Sequence, residues 1–165
     1  MSGGNAVVLV QETVLERILQ DGSRGPWSLA ACAPRRFGRF WLGNQVFVET
    51  TTRRWSVTVS WGEGGEPFAD WWDWSIHPDV TSEQQATTVH EDALPMSEAV
   101  ALGSSFVDAD GVAKRTTTAI VFGRGKHRVV VSADQSMSSL LEVTSDPSEI
   151  AAFYDDCEFR RRFTI

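Results

Sequence analysis

The sequence predicts an α+β domain in which a curved, mostly antiparallel sheet carries an N-terminal and a C-terminal helix packed on it. Three observations predict this class. Apolar residues recur near a helical period at the start of the chain, short β-branched runs broken by Gly, Pro and Asn fill the middle, and Asp146-Pro147-Ser148-Glu149 opens a helix near the end. The 165 residues fit a single domain spanning 1–165, long enough to bury a core without disulfides or a structural metal.

In chain order, Val7, Val10, Val14 and Ile18, joined by Val8, Leu15 and Leu19, mark the first helix, with Asn5 as its cap and Asp21-Gly22 as its stop. Strands are expected at 26–33, 35–42, 45–51 and 53–61, with Gly43-Asn44 as a hairpin turn between the second and third. The last of these is the clearest, because Trp55, Val57, Val59 and Trp61 alternate with small polar residues as a half-buried strand requires. Gly62, Gly64, Gly65 and Pro67 then form a loop. Beyond it, 68–76 reads as a strand with Trp72, Trp74 and Ile76 on one side and Trp71, Asp73 and Ser75 on the other. A further short strand is expected within 81–92, and 94–103 reads as a brief helix ended by Gly103. The runs 116–123 and 127–133 form a hairpin through Gly123-Arg124-Gly125-Lys126. In the final helix Asp146 is the N-cap, Pro147 the first helical residue, and Ile150, Phe153, Tyr154 and Cys157 the apolar stripe.

Composition excludes several classes. With 42% hydrophobic and 22% charged residues, no segment approaches the roughly 18–20 apolar residues of a membrane span. The first residues lack the basic n-region of a signal peptide, so a cytoplasmic location is expected. Cys32 and Cys157, both among apolar neighbours, are expected as buried free thiols, with one disulfide between them as the alternative.

Charge is segregated along the chain. Residues 55–113 hold eleven Asp and Glu and no Lys or Arg, hence −11; the fifteen bases and eleven acids elsewhere leave +4. Such a field disfavours nucleic acid and anionic membranes as partners and suits a basic protein.

Motifs for chemistry are sparse. His77, His90 and His127 show neither HExxH nor helical pairing, so neither a metal nor another cofactor is expected. Asp108-Ala109-Asp110-Gly111 resembles part of a calcium loop, but its first and last ligand positions fall on Phe106 and Thr117. The Gly123–Lys126 turn lacks phosphate-loop spacing, no GxSxG occurs, and His90-Glu91-Asp92 has acid–base residue types that point apart on an extended segment. Arginines interleave with aromatics at 35–41 and 159–163; side chains snorkelling over a sheet explain this better than single-strand binding does.

What remains is the stretch 61–79, with four of the seven tryptophans and five carboxylates. Aromatic anchors give interfaces their affinity, and carboxylates steer a basic partner. Glu63, Glu66, Asp70, Trp71, Asp73 and Asp79 are therefore the candidate partner-binding residues, while Trp72 and Trp74 are assigned to the core. In small size, acidity, tryptophan-rich strands, lack of catalytic signatures and preference for Arg over Lys, the chain resembles immunity proteins of actinobacterial polymorphic toxin systems. That resemblance implies a cytosolic inhibitor whose carboxylates mimic substrate phosphates in a toxin's basic or phosphate-binding cleft. The alternatives are a small-ligand or carbohydrate-binding protein or hydrolase, with Asp70 and Asp73 as paired carboxylates among tryptophans, and a structural subunit of a virion or secretion assembly.

Overall fold

The computed structural model describes residues 7–61, 72–79, 85–107, 110–133 and 140–165. Its elements are β1 (Val7–Val8), α1 (Glu12–Gly22), β2 (Trp27–Ala31), β3 (Arg35–Phe37), β4 (Phe40–Gly43), β5 (Val46–Glu49), β6 (Arg54–Trp61), β7 (Trp72–Pro78), β8 (Thr87–Asp92), β9 (Glu98–Val107), β10 (Ala113–Phe122), a 3₁₀ turn (Gly125–His127), β11 (Val129–Ala133), β12 (Leu141–Thr144), α2 (Pro147–Asp156) and β13 (Phe159–Thr164). The α+β class holds, with mostly antiparallel strands and two helices. The strands divide into two sheets instead of forming one.

The larger sheet runs β13-β9-β10-β11-β12-β4-β3, with β1 parallel to the first half of β10, and the smaller runs β7-β6-β5-β2-β8. One apolar core lies between them. Trp27, Leu29, Val48, Trp55 and Val57 enter it from the smaller sheet, Ala101, Ile120, Phe122, Val131 and Val143 from the larger, and Leu15, Ile18 and Leu19 from α1. The period of two puts Val100, Leu102, Ala119, Val121 and Val130 on the other face of the larger sheet, where Ile150 of α2 and the flanking Phe153 and Tyr154 cover them. The molecule is thus layered as α2, larger sheet, smaller sheet.

α2 starts where its sequence predicts. The Asp146 carboxylate accepts hydrogen bonds from the Ser148 and Glu149 amides at 3.0 and 3.1 Å, and Pro147 needs no partner for a missing N–H. The hairpin across Gly123–Lys126 also forms, joining antiparallel β10 and β11.

Four expectations are corrected. The first helix begins at Glu12, not near Val7: Val7-Val8 pairs with Arg115-Thr116, and the Val10 amide donates to Thr117 Oγ1 at 3.0 Å, which holds the chain extended. The proposed cap Asn5 lies outside the described residues. The segment 94–103 is no helix, because residues 98–107 form β9, whose Ala99-Val100-Ala101-Leu102 run is buried on both faces. Gly43-Asn44 is not a hairpin turn: β4 pairs with β3 and β12 while β5 pairs with β2 and β6, so the chain changes sheet there. Finally, 35–42 is not one strand but the hairpin of β3 and β4, which turns at Gly38-Arg39, and 159–164, for which no element was expected, forms an edge strand, β13.

Candidate functional site

The candidate surface follows β6, and its structure begins with the alternation of that strand. Trp55, Val57 and Val59 are buried, Thr58 and Ser60 are on the opposite face, and β7 continues the pattern in antiparallel register with Val57 opposite Ile76 and Val59 opposite Trp74. Trp72 and Trp74 therefore point inward, as expected. Both tie the smaller sheet to the larger: the Trp72 amide donates to Thr116 Oγ1 at 3.2 Å, and Trp74 Nε1 donates to the Thr117 carbonyl at 2.8 Å, beside the irregularity where β10 slips against β9. Asp73, Ser75 and His77 are exposed on the outward face.

Of the candidate partner-binding residues, Asp73 is thus on an accessible strand face. Asp79 is not: its side chain is 8% exposed, lies 3.6 Å from Arg54 Nε, and helps Glu49 hold that guanidinium over the Phe47 ring at 3.6 Å. Its carboxylate serves packing on the sheet's outer side. Glu63, Glu66, Asp70 and Trp71 lie outside the described residues.

The acidic segment is also less acidic in space than in sequence. Glu98 accepts from Arg162 at 2.5 Å and Asp79 lies 3.6 Å from Arg54 Nε, so arginines from outside the segment offset carboxylates within it, while Asp92 faces the His127 ring at 3.5 Å. Glu91 remains exposed beside them on β8. Arginines stack on rings as expected, Arg36 over Trp41, Arg53 over Trp55 and Arg160 over Tyr154, with separations of 5.0, 5.6 and 5.3 Å. Both cysteines are free and half-buried. Among the described residues, no three His, Cys, Asp or Glu side chains gather as a metal-holding group, and no helix is long and apolar enough to cross a membrane.

A second feature escaped the sequence. Where β8 faces the β3–β4 hairpin and β12, the structure has a partly open cavity of about 200 Å³ whose lining includes Arg36, Arg39, Trp41, His90, Thr144 and Asp146. His90 shares the inward face with Leu29, stacks 5.4 Å from Trp27, and has its Nε2 buried without a hydrogen-bond partner among the described residues. Burial pushes its imidazole below the ordinary value; Asp92 pulls the other way and His127 adds to the lowering. Because the folded-state pKa lies under the unfolded value of about 6.5, the unfolded chain takes up this proton first as pH falls. The contribution of His90 to stability is therefore complete above about pH 6.5 and declines below it. Denaturant midpoints measured from pH 7.5 down to about 5.5 are expected to fall for the wild type and to fall less for His90→Gln. Parallel curves would show that another group controls this range.

No protein-family profile matches this chain, and no match was found among curated proteins or among solved structures.

Proposed function

We propose that this chain is a non-catalytic protein-binding domain that receives a basic partner on the side of the smaller sheet bounded by β7. The observation that carries this is the outward placement of Asp73 on an edge strand whose tryptophans are turned inward, within a segment of 59 residues, 55–113, devoid of Lys and Arg. A carboxylate on an open strand face suits a steering contact better than proton transfer, which needs an enclosed environment to raise a pKa. Glu63, Glu66, Asp70 and Trp71, adjacent in the chain, extend the proposed contact set; Asp79, committed to Arg54, is left out of it. The narrower identity we propose is an immunity protein of the cytoplasm that blocks a toxin's basic or phosphate-binding cleft. The sugar-binding alternative has less support, because Trp72 is buried in the core and Trp74 packs against it with its indole N–H bonded to the Thr117 carbonyl.

Affinity capture compares the wild type with Asp70→Lys/Asp73→Lys and with Trp71→Ala. The charge reversal is expected to reduce capture of a basic partner at least about tenfold, since like charges across an interface cost several kcal/mol. Loss of an aromatic anchor is expected to cost about 2 kcal/mol or more. Equal capture by all three chains at unchanged thermal stability would remove this reading.

A further inference from the structure

We propose that the cavity beneath the β3–β4 hairpin binds a small oxyanion, a phosphate or carboxylate group, between the Arg36 guanidinium and the half-buried His90 imidazole. It lies at the β8 edge of the smaller sheet, opposite the β7 edge, and does not depend on the partner surface.

Strand register places Arg36 there. Across the inner face of the larger sheet one row runs from Arg36 through Trp41, Val143, Val131, Ile120 and Ala101 to Arg161. The row is apolar in the middle and cationic at both ends. At the far end α1 closes the space between the sheets, and Glu12 pairs with Arg161. At the near end no helix intervenes among the described residues. Arg36 lies over the Trp41 ring and donates through Nε to the Gly38 carbonyl at 3.1 Å, and no carboxylate forms an ion pair with it among the described residues.

The other charges lining the cavity are already matched. Arg39 reaches Asp146 at 3.3 Å and donates to Ser148 Oγ at 2.7 Å, while the Asp146 carboxylate also caps α2. Arg36 is thus the cation with capacity left. Opposite it, the smaller sheet ends its own inner row, Trp55-Val48-Leu29-His90, on an imidazole whose Nε2 is buried and unpartnered among the described residues. A buried polar atom without a partner is costly and uncommon, and it calls for a water or a ligand. An anion held by Arg36 would supply the missing acceptor to a His90 N–H, and its charge would favour the protonated ring.

Volume limits the ligand. About 200 Å³ holds several waters of about 30 Å³ each, yet falls below the roughly 300–1,000 Å³ of sites for drug-sized molecules. Inorganic phosphate or a short organic acid fits within it.

The full chain, isotope-labelled, is titrated with inorganic phosphate and separately with acetate at an ionic strength held constant with sodium chloride. Saturable shifts of the His90 ring and Trp41 indole resonances are expected with at least one anion. Saturation by phosphate alone identifies a phosphoryl ligand, and saturation by acetate alone a carboxylate. In Arg36→Gln, an exposed substitution whose fold the amide spectrum checks, affinity is expected to fall about tenfold or more. Resonances that stay still with both anions mean a water-filled cavity and overturn the proposal. So do shifts reproduced by chloride, and so does undiminished affinity in folded Arg36→Gln.

Discussion

Gly103→Ala is expected to destabilise the domain by about 3 kcal/mol, the upper end of overpacking costs, and Gly103→Val by more. A methyl group at this position would lie 2.1 Å from Phe159 Cζ and 2.4 Å from the Thr116 carbonyl oxygen. The ring could move, but the carbonyl belongs to β10 at the centre of the larger sheet and sits just before the slip between Thr117 and Ala119. Relief therefore requires backbone movement in one of three paired strands, and β13, at the edge, has least to hold it. Its anchoring at this point is the Gly103–Phe159 pair and the bond from the Glu158 amide to the Gly103 carbonyl at 2.9 Å. Equilibrium unfolding gives the cost, and amide exchange in 159–164 is expected to accelerate more than exchange in β11. Phe159→Ala in the Gly103→Ala background should restore only part of the loss, because the carbonyl conflict persists. A Gly103→Ala protein within 0.5 kcal/mol of wild type would contradict the close approach.

This glycine also shows what was legible in the sequence. Read locally, Gly103 ends an Ala- and Leu-rich segment and resembles a helix stop. Its actual role is set by a strand more than fifty residues later, whose phenylalanine lies over it. Where the determinants are local, the sequence reading succeeds: Asp146 caps α2 with its own carboxylate, and alternation in 57–60 and 72–76 assigns the correct faces. Where they are distant it fails. A strand buried on both faces has no polar alternation to distinguish it from a buried helix, hence the error over β9. Gly43-Asn44 has turn residues, but only the pairing partners reveal that the chain is passing between sheets.

The candidate sites divide in the same way. Outward placement of Asp73 followed from strand periodicity. Burial of Asp79 did not, because it depends on Arg54, held across the β6–β7 pair by the bond from the Asp79 amide to the Arg54 carbonyl at 2.8 Å. A count of formal charges likewise assumes that every carboxylate faces solvent, and Asp92 and Glu98 do not. The cavity was invisible for a further reason. Arg36 and Trp41 announce an arginine–aromatic strand pair, and His90 looks like an isolated histidine; their convergence requires two sheets to stack face to face.

Asp21→Ala is expected to cost about 2–3 kcal/mol, although an acid in the last turn of a helix opposes the macrodipole and its removal would ordinarily help α1. The reason lies in the core. Asp21 is 5% exposed, accepts from Trp55 Nε1 at 2.8 Å and forms an ion pair with Arg53 at 2.9 Å from its Nε, and Trp55 is fully buried under the guanidinium groups of Arg17 and Arg53. Arg53 is partly exposed and regains water when Asp21 is lost, so the ion pair itself contributes little. The indole N–H cannot reach water, and leaving it without an acceptor accounts for most of the cost. Asp21→Asn, which keeps a carbonyl oxygen, should lose less. A double-mutant cycle with Trp55→Phe isolates the term: once the indole donor is gone, Asp21→Ala should become nearly neutral, giving a coupling of about 1.5–3 kcal/mol. Trp55→Ala, which empties the centre of the shared core, is expected to cost about 3–5 kcal/mol. Additive losses in the cycle would instead mean that Asp21 acts through Arg53 or through α1, and that the indole bond does not hold the helix to the smaller sheet.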